Sequence, residues 1–165
     1  MNIKQFVVNP FGVNCFVLSN DAGDAILIDP SVSNEREEDA LARYIEQNHL
    51  TVRHLLNTHL HLDHVLGNAF VARKYGVQLE AHEEDAFLLD LQEEQSQMFG
   101  LPMREPSPGL GNSLAEGDAV EVPGIRRLSC PMLQACSHHR RDGQWPRTWT
   151  SLRLWWHDSR RLASG

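Results

Sequence analysis

The sequence predicts an α/β fold, on two observations. Up to about Gly124, apolar runs of period two alternate with runs of helical period, and turn residues separate them. One strand-like run, "TVRHLLNT" (51–58), is apolar enough to lie inside a sheet and leads straight into "HLHLDH" (59–64), a concentration of ligand-type side chains. A length of 165 residues with 41% hydrophobic and 22% charged content suits one globular domain with its own core.

The elements follow in order. "KQFVV" (4–8) and "NCFVLSN" (14–20) read as strands, and "NDAG" (20–23) is a turn into a third, "DAILIDP" (24–30). Asn34 is placed to cap a helix: Glu37 lies three residues on, and Glu35, Glu37 and Glu38 set negative charge against the helix N-terminus. In that helix Ala40, Leu41, Tyr44 and Ile45 share one face, while Arg43 and Glu46 lie towards water. Beyond the apolar strand and the histidine cluster, Val65, Leu66, Ala69, Phe70 and Ala72 predict a helix that stops at Gly76. "VQLEAH" (77–82) alternates as a strand. "EEDAFLLDLQEEQSQMFG" (83–100) opens on three acids, carries an apolar face and ends at Gly100 with Pro102 beyond. It reads as a single helix whose acids, Glu83 to Glu94, form a solvated face. "LPMREPSPGLGNS" (101–113) is a Pro/Gly/Ser loop, and "GDAVEVPG" (117–124) a strand.

No stretch approaches the length of a membrane span, and the N-terminus lacks the basic and apolar regions of a secretory signal. Cys15, Cys130 and Cys136 are an odd number without metal-type or redox-type spacing, and Cys15 reads as a buried strand residue. Together these predict a cytoplasmic protein with no membrane partner.

The chemistry concentrates in residues 59–64. If the segment stays extended as it leaves its strand, His59, His61 and Asp63 point one way while Leu60 and Leu62 anchor the other side in the core. His64 follows at the start of the next helix. Neutral imidazole and carboxylate suit zinc and similar divalent ions, and clustering them otherwise costs stability. Four ligand-type residues in six positions exceed the needs of one open site, so a division between two adjacent ions is expected, His59 and His61 on the first, Asp63 and His64 on the second. His49, His54 and His82 are isolated and read as a helix end, a strand position and a loop.

"THLHLDH" (58–64) resembles the His-x-His-x-Asp-His motif of the metallo-β-lactamase fold superfamily, and "NCFVLSNDAGDAILIDPS" (14–31) is similar to that family's opening strands. The resemblance extends over about residues 1–124 and, through the compact spacing and "GVQLEAHEED" (76–85), looks closest to small glyoxalase II-like thioester hydrolases. It implies an αβ/βα sandwich, of which this stretch would build the N-terminal half, with one or two zinc ions at its rim, or iron or manganese in their place. It further implies a metallo-hydrolase that cleaves an ester-like bond of a small-molecule substrate through metal-bound hydroxide. His59 and His61 match ligands of the first metal and Asp63 and His64 ligands of the second. Asp63 also matches the catalytic residue that orients or deprotonates the attacking water, and Asp29 an acid that supports the ligand loop.

The family pattern continues with a glycine-flanked histidine, a metal-bridging aspartate and a final histidine. His138, His139 and Asp158 fall at comparable distances but lack those surroundings. Before Ile125 there are 20 acidic and 7 basic residues; after Gly124 there are 2 and 8, every basic one is arginine, and all four tryptophans (Trp145, Trp149, Trp155, Trp156) occur there. Hydrophobic periodicity stops at the same place. Residues 1–124 are therefore expected to form the domain and 125–165 an atypical, poorly ordered tail, encoded after a change of reading frame near codons 125 to 135. Two alternatives to an active hydrolase follow: an inactive fragment or metal-binding module with an incomplete site, and, ranked lower, a nucleic-acid binder using the basic tail.

Overall fold

The computed structural model describes residues 1–115, 118–122 and 125–129, the last of these in backbone only. Strands β1 (Asn2–Val8), β2 (Val13–Ser19) and β3 (Asp24–Ile28) form an antiparallel meander. Helix α1 (Glu35–Gln47) then crosses to β4 (Thr51–Leu56), which lies parallel to β3. Two short helices, α2 (Leu62–Val65) and α3 (Asn68–Tyr75), lead to β5 (Leu79–Ala81). A 3-10 turn (Glu83–Asp85) with α4 (Phe87–Asp90) and α5 (Gln92–Phe99) leads to β6 (Leu110–Ser113). β5 and β6 extend the parallel part, giving one six-stranded sheet in the order β1-β2-β3-β4-β5-β6. β7 (Ala119–Val122) and β8 (Ile125–Ser129) form a separate antiparallel pair.

Both faces of the large sheet carry apolar side chains. On one, Cys15, Val17, Ala25, Leu27, Leu55 and Leu79 meet Leu41 and Ile45 of α1, Val71 of α3 and Leu88 of α4. On the other, Leu18, Ile26 and Leu56 pack with Val120 and Val122 of β7. β4 is buried on both faces only at its carboxyl end, where Leu55 and Leu56 are adjacent; at its start Thr51 and Arg53 are exposed and Val52 is buried.

The capping of α1 matches the sequence: Asn34 Oδ1 accepts the Glu37 N–H at 3.1 Å, and Glu37 Oε2 accepts the Ser33 N–H at 2.8 Å. Burying Leu41 and Ile45 stabilises the helix by roughly 1.5–3 kcal/mol each. Ala42, not Ala40, completes the buried face; Ala40 is exposed.

Four other expectations change. The helix expected from Val65 to Gly76 is broken at Leu66 and Gly67. Stretch 83–100 is three pieces rather than one helix, and Asp85 in its acidic run is buried. The strand expected over 77–82 is reduced to β5's three residues. The supposed loop 101–113 contains β6, whose Gly, Asn and Ser residues hide a strand held by pairing with β5. β8 pairs with β7 in residues that the sequence places in the tail. Cys130, Cys136, His138, His139, Asp158 and the four tryptophans lie outside the described residues.

Candidate metal centre

The site forms where β3 and β4 end side by side. In parallel sheets the carboxyl ends of strands are where side chains and loops converge on ligands. β3 runs out into Asp29, whose φ of 47° turns the chain sharply before Pro30. Its N–H still donates to the Leu56 carbonyl at 2.9 Å, so the bend is fixed to the neighbouring strand. The Asp29 carboxylate is buried, accepts three hydrogen bonds and makes one further close contact. Oδ1 takes the Thr58 N–H at 2.8 Å and Asn57 Nδ2 at 3.1 Å, and Oδ2 takes the Thr58 hydroxyl at 2.6 Å. His64 Nδ1 lies 3.1 Å from Oδ2.

From β4 the chain passes through His59, Leu60 and His61, with Leu60 and Leu62 fully buried as anchors. The ring centroids of His59 and His61 are 4.9 Å apart, edge to face. The extended conformation ends at His61, which caps α2, and its carbonyl accepts the His64 N–H at 2.9 Å. Asp63 and His64 therefore both sit in a helical turn. Asp63 does not continue the alternation of His59 and His61, as an extended segment would require. The turn instead folds His64 back until its ring lies 3.8 Å from that of His59, and His64 Nε2 is 3.6 Å from Asp63 Oδ2. His59, Asp63 and His64 are buried; His61 is half-buried.

This packing perturbs Asp29, His59, Asp63 and His64. Burial, reinforced by the His64 charge, pushes the His59 imidazole down to about 3, which favours its neutral form. Burial opposes charge on both Asp29 and His64, but their mutual attraction wins: the Asp29 carboxyl is held below its ordinary range and the His64 imidazole above its own. Burial raises the Asp63 carboxyl, with His64 acting in the opposite sense.

The sequence profile described as "Metallo-beta-lactamase superfamily" matches residues 8–140. The chain belongs to the metallo-beta-lactamase superfamily. Hydroxyacylglutathione hydrolase GloC of Haemophilus influenzae is 39% identical over 103 residues, which are 62% of this chain and 47% of that protein. An uncharacterized protein of Mycobacterium leprae is 37% identical over 54% of this chain and 40% of its own length. The matched part thus spans under half of either relative. Among solved structures, the BLEG-1 B3 metallo-beta-lactamase superposes with a TM-score of 0.63 at 23% identity, over 74% of this chain and 57% of that one. The di-iron-bound form of TTHA1623 gives 0.61 at 23% identity, over 71% and 56%. These likenesses show that the chain shares their fold over about three quarters of its length.

The donor chemistry of the superfamily motif in this chain fits a divalent ion. His59 offers a neutral imidazole, and Asp63 Oδ2 is buried without a hydrogen-bond partner, an arrangement that costs stability unless a cation or proton satisfies it. The described residues do not complete a coordination sphere: no three His, Cys, Asp or Glu among them are grouped to hold an ion.

Several residues that hold the superfamily motif in place were not singled out by the sequence. Asn9 Nδ2 donates to the Asp63 carbonyl at 2.8 Å, and the Ser31 hydroxyl donates to the same oxygen. Gln95 Oε1 accepts the Leu62 N–H at 3.0 Å. The Leu60 N–H lies close enough to Asp85 to favour its charged form. Asn9 carries the only available signal, as the Asn-Pro of a turn; its φ of 52° is tolerated by asparagine better than by most residues. His54 pairs with Glu80 at 2.6 Å, His49 closes the turn after α1, and His82 caps the 3-10 turn, all apart from this cluster.

Asp85 yields a pH test. Burial raises its carboxyl from 3.8 to about 6, against the helpful Leu60 N–H. A raised carboxyl stabilises the fold below the unfolded value and loses that contribution as pH rises through 6. Urea unfolding of the parent and Asp85→Asn should show the parent's stability, relative to the variant, falling by about 1–2 kcal/mol between pH 4 and 7.5, allowing for solvent screening. A relative rise over that interval would contradict the assignment.

Proposed function

We propose that this chain is a metal-dependent hydrolase of ester-like bonds, with thioesters as its substrate class. The observation that carries this reading is the gathering of His59, His61, Asp63 and His64 around the buried Asp29 at the ends of β3 and β4. Similarity to a hydroxyacylglutathione hydrolase supports the thioester. His59 and His61 would hold one ion, Asp63 and His64 a second; zinc is our first assignment, and iron the next because a similar solved protein carries two irons. A bound ion supplies Lewis acidity, which lowers the pKa of water and stabilises negative charge on oxygen. Asp63 orients the attacking water and takes its proton, a role suited to a carboxyl whose basicity burial has raised. Asp29 holds His64 in place through the Nδ1 contact. No helix among the described residues is long and apolar enough to cross a membrane, and we assign the protein to the cytoplasm on its buried, free Cys15 thiol.

A second reading, a metal-binding module with an incomplete site, is favoured by the absence of any three grouped donors among the described residues. One experiment separates the two. The full chain is assayed for metal content and for turnover of acyl-glutathione thioesters and a lactam. Thioester hydrolysis slower than about 1 per second, lost on chelation and restored by zinc, is the expected result. Metal uptake without hydrolysis of any substrate supports the module, and hydrolysis indifferent to chelation sinks the metal reading.

A further inference from the structure

The polar residues beneath the ligand loop differ in what they connect. Asn57, fully enclosed at the end of β4, uses three of the four hydrogen-bonding positions of its amide. Nδ2 donates to Asp29 Oδ1 at 3.1 Å and to the His64 carbonyl at 2.9 Å, while Oδ1 accepts from Asn68 Nδ2 at 2.8 Å. Its backbone N–H donates to the Glu80 carbonyl at 3.0 Å, so the amide is pinned to the sheet. We propose that Asn57 is a positioning residue for the metal centre: one amide holds the Asp29 carboxylate and the His64 carbonyl together and so sets which edge of the His64 ring a divalent cation meets. The proposal rests on the metal reading above.

The geometry gives the reason. With Asp29 Oδ1 turned to Asn57 and the Thr58 N–H, Oδ2 is left to the Thr58 hydroxyl and to His64 Nδ1. Nδ1 is thereby directed inward, and Nε2 falls on the Asp63 side. A histidine whose one nitrogen faces a carboxylate at close range presents the other to a metal. Both groups that Asn57 engages with Nδ2 are acceptors, so only a side chain with two N–H donors can bridge them. Aspartate has the same shape but offers acceptors to a carboxylate and a carbonyl. Asn68 extends the chain outward to the Ser107 hydroxyl at 2.9 Å, and Gln92 accepts the Ser107 N–H at 2.7 Å. That outer end touches neither Asp29 nor His64.

The test uses the full chain with zinc or cobalt(II) alone as the probe, comparing Asn57→Asp, Asn57→Ser and Ser107→Ala with the parent. Three quantities are read: affinity by competition with a chromophoric chelator, the visible absorption of bound cobalt, and the thermal midpoint of the metal-free protein. Asn57→Asp should weaken zinc binding about 10–100-fold and shift the cobalt bands. Asn57→Ser, with one short donor, should lie between it and the parent. Ser107→Ala should leave affinity and bands unchanged while lowering the midpoint. If both Asn57 variants lower only the midpoint and bind cobalt with parental affinity and bands, the residue is merely structural and the proposal is overturned. If Asn57→Asp does not fold, Asn57→Ser decides on the same readings. Failure of the metal reading looks different: the parent would bind neither ion better than a variant lacking both His59 and His61, and the proposal would fall with it.

Discussion

Changing His59 and His61 together to alanine should reduce zinc affinity by at least about a hundredfold, since loss of groups that merely support a ligand already costs 10–100-fold. The two rings lie edge to face at one end of the cluster, and the leucines that anchor their backbone are untouched by the change. The fold should therefore survive, and the metal-free thermal midpoint should move by only a few degrees. In the parent, zinc at about a hundred times its dissociation constant should add about 2.7 kcal/mol of stability, and in the variant none. Zinc titrations followed by thermal unfolding read both numbers. A double variant with parental zinc content and the parental shift would remove these histidines from the ligand set.

The largest effect on stability is expected at Gly67, between α2 and α3. A methyl group there would sit 1.9 Å from the Pro30 carbonyl oxygen, 2.5 Å from Val32 Cγ2 and 3.0 Å from the Val32 N. Two of these are backbone atoms of the bend after Asp29, which the contact to β4 holds in place. They cannot move aside as a side chain would, so the helices must shift. Gly67→Ala should cost about 3 kcal/mol or more, roughly 6–12 °C in thermal midpoint for a chain of this size. Zinc binding should weaken as well, because the displaced segment carries His64 and the opposing one carries Asp29. Gly109→Ala, where a methyl group meets nothing within 4 Å, should stay within about 0.5 kcal/mol of the parent. Equal effects at the two glycines would show that the close approach at Gly67 is not what holds the bend.

What the sequence revealed depended on how local each signal was. α1 was legible to the residue at its start, because Asn34 and Glu37 satisfy each other's surroundings within four positions. β4 was legible through Val52, Leu55 and Leu56, which are buried although Thr51 before them and Arg53 between them are exposed. The histidine cluster stood out through residue type alone, but its shape did not. Leu60 and Leu62 alternate like a strand and are buried in either conformation, so the onset of α2 at Leu62 was invisible. Residues 83–100 carry one apolar period and one pair of end signals. Their division into three lets Gln95 reach the Leu62 N–H and buries Asp85, a tertiary demand with no local trace. Asn9, Ser31 and Asn57 act on partners 54, 32 and 28 positions away, which no pattern in a single sequence discloses.

The order of the strands has a consequence for how the chain comes together in time. In the six-stranded sheet every strand pairs with the one that follows it in the sequence. Such a sheet can grow by addition at one edge, each strand docking on its predecessor across a turn in the meander and across a helical crossover in the parallel part, as the chain is made from its N-terminus. Asp29 and the histidines come within reach of each other as soon as β4 docks on β3. The contacts from Glu80, Asp85 and Gln95 arrive only with β5 and the segment behind it. A chain synthesised that far would hold the histidine loop against β3 without the contacts that fix it from behind. An ion that binds at that stage would act as a folding nucleus, and metal supply during translation would influence how much native protein accumulates.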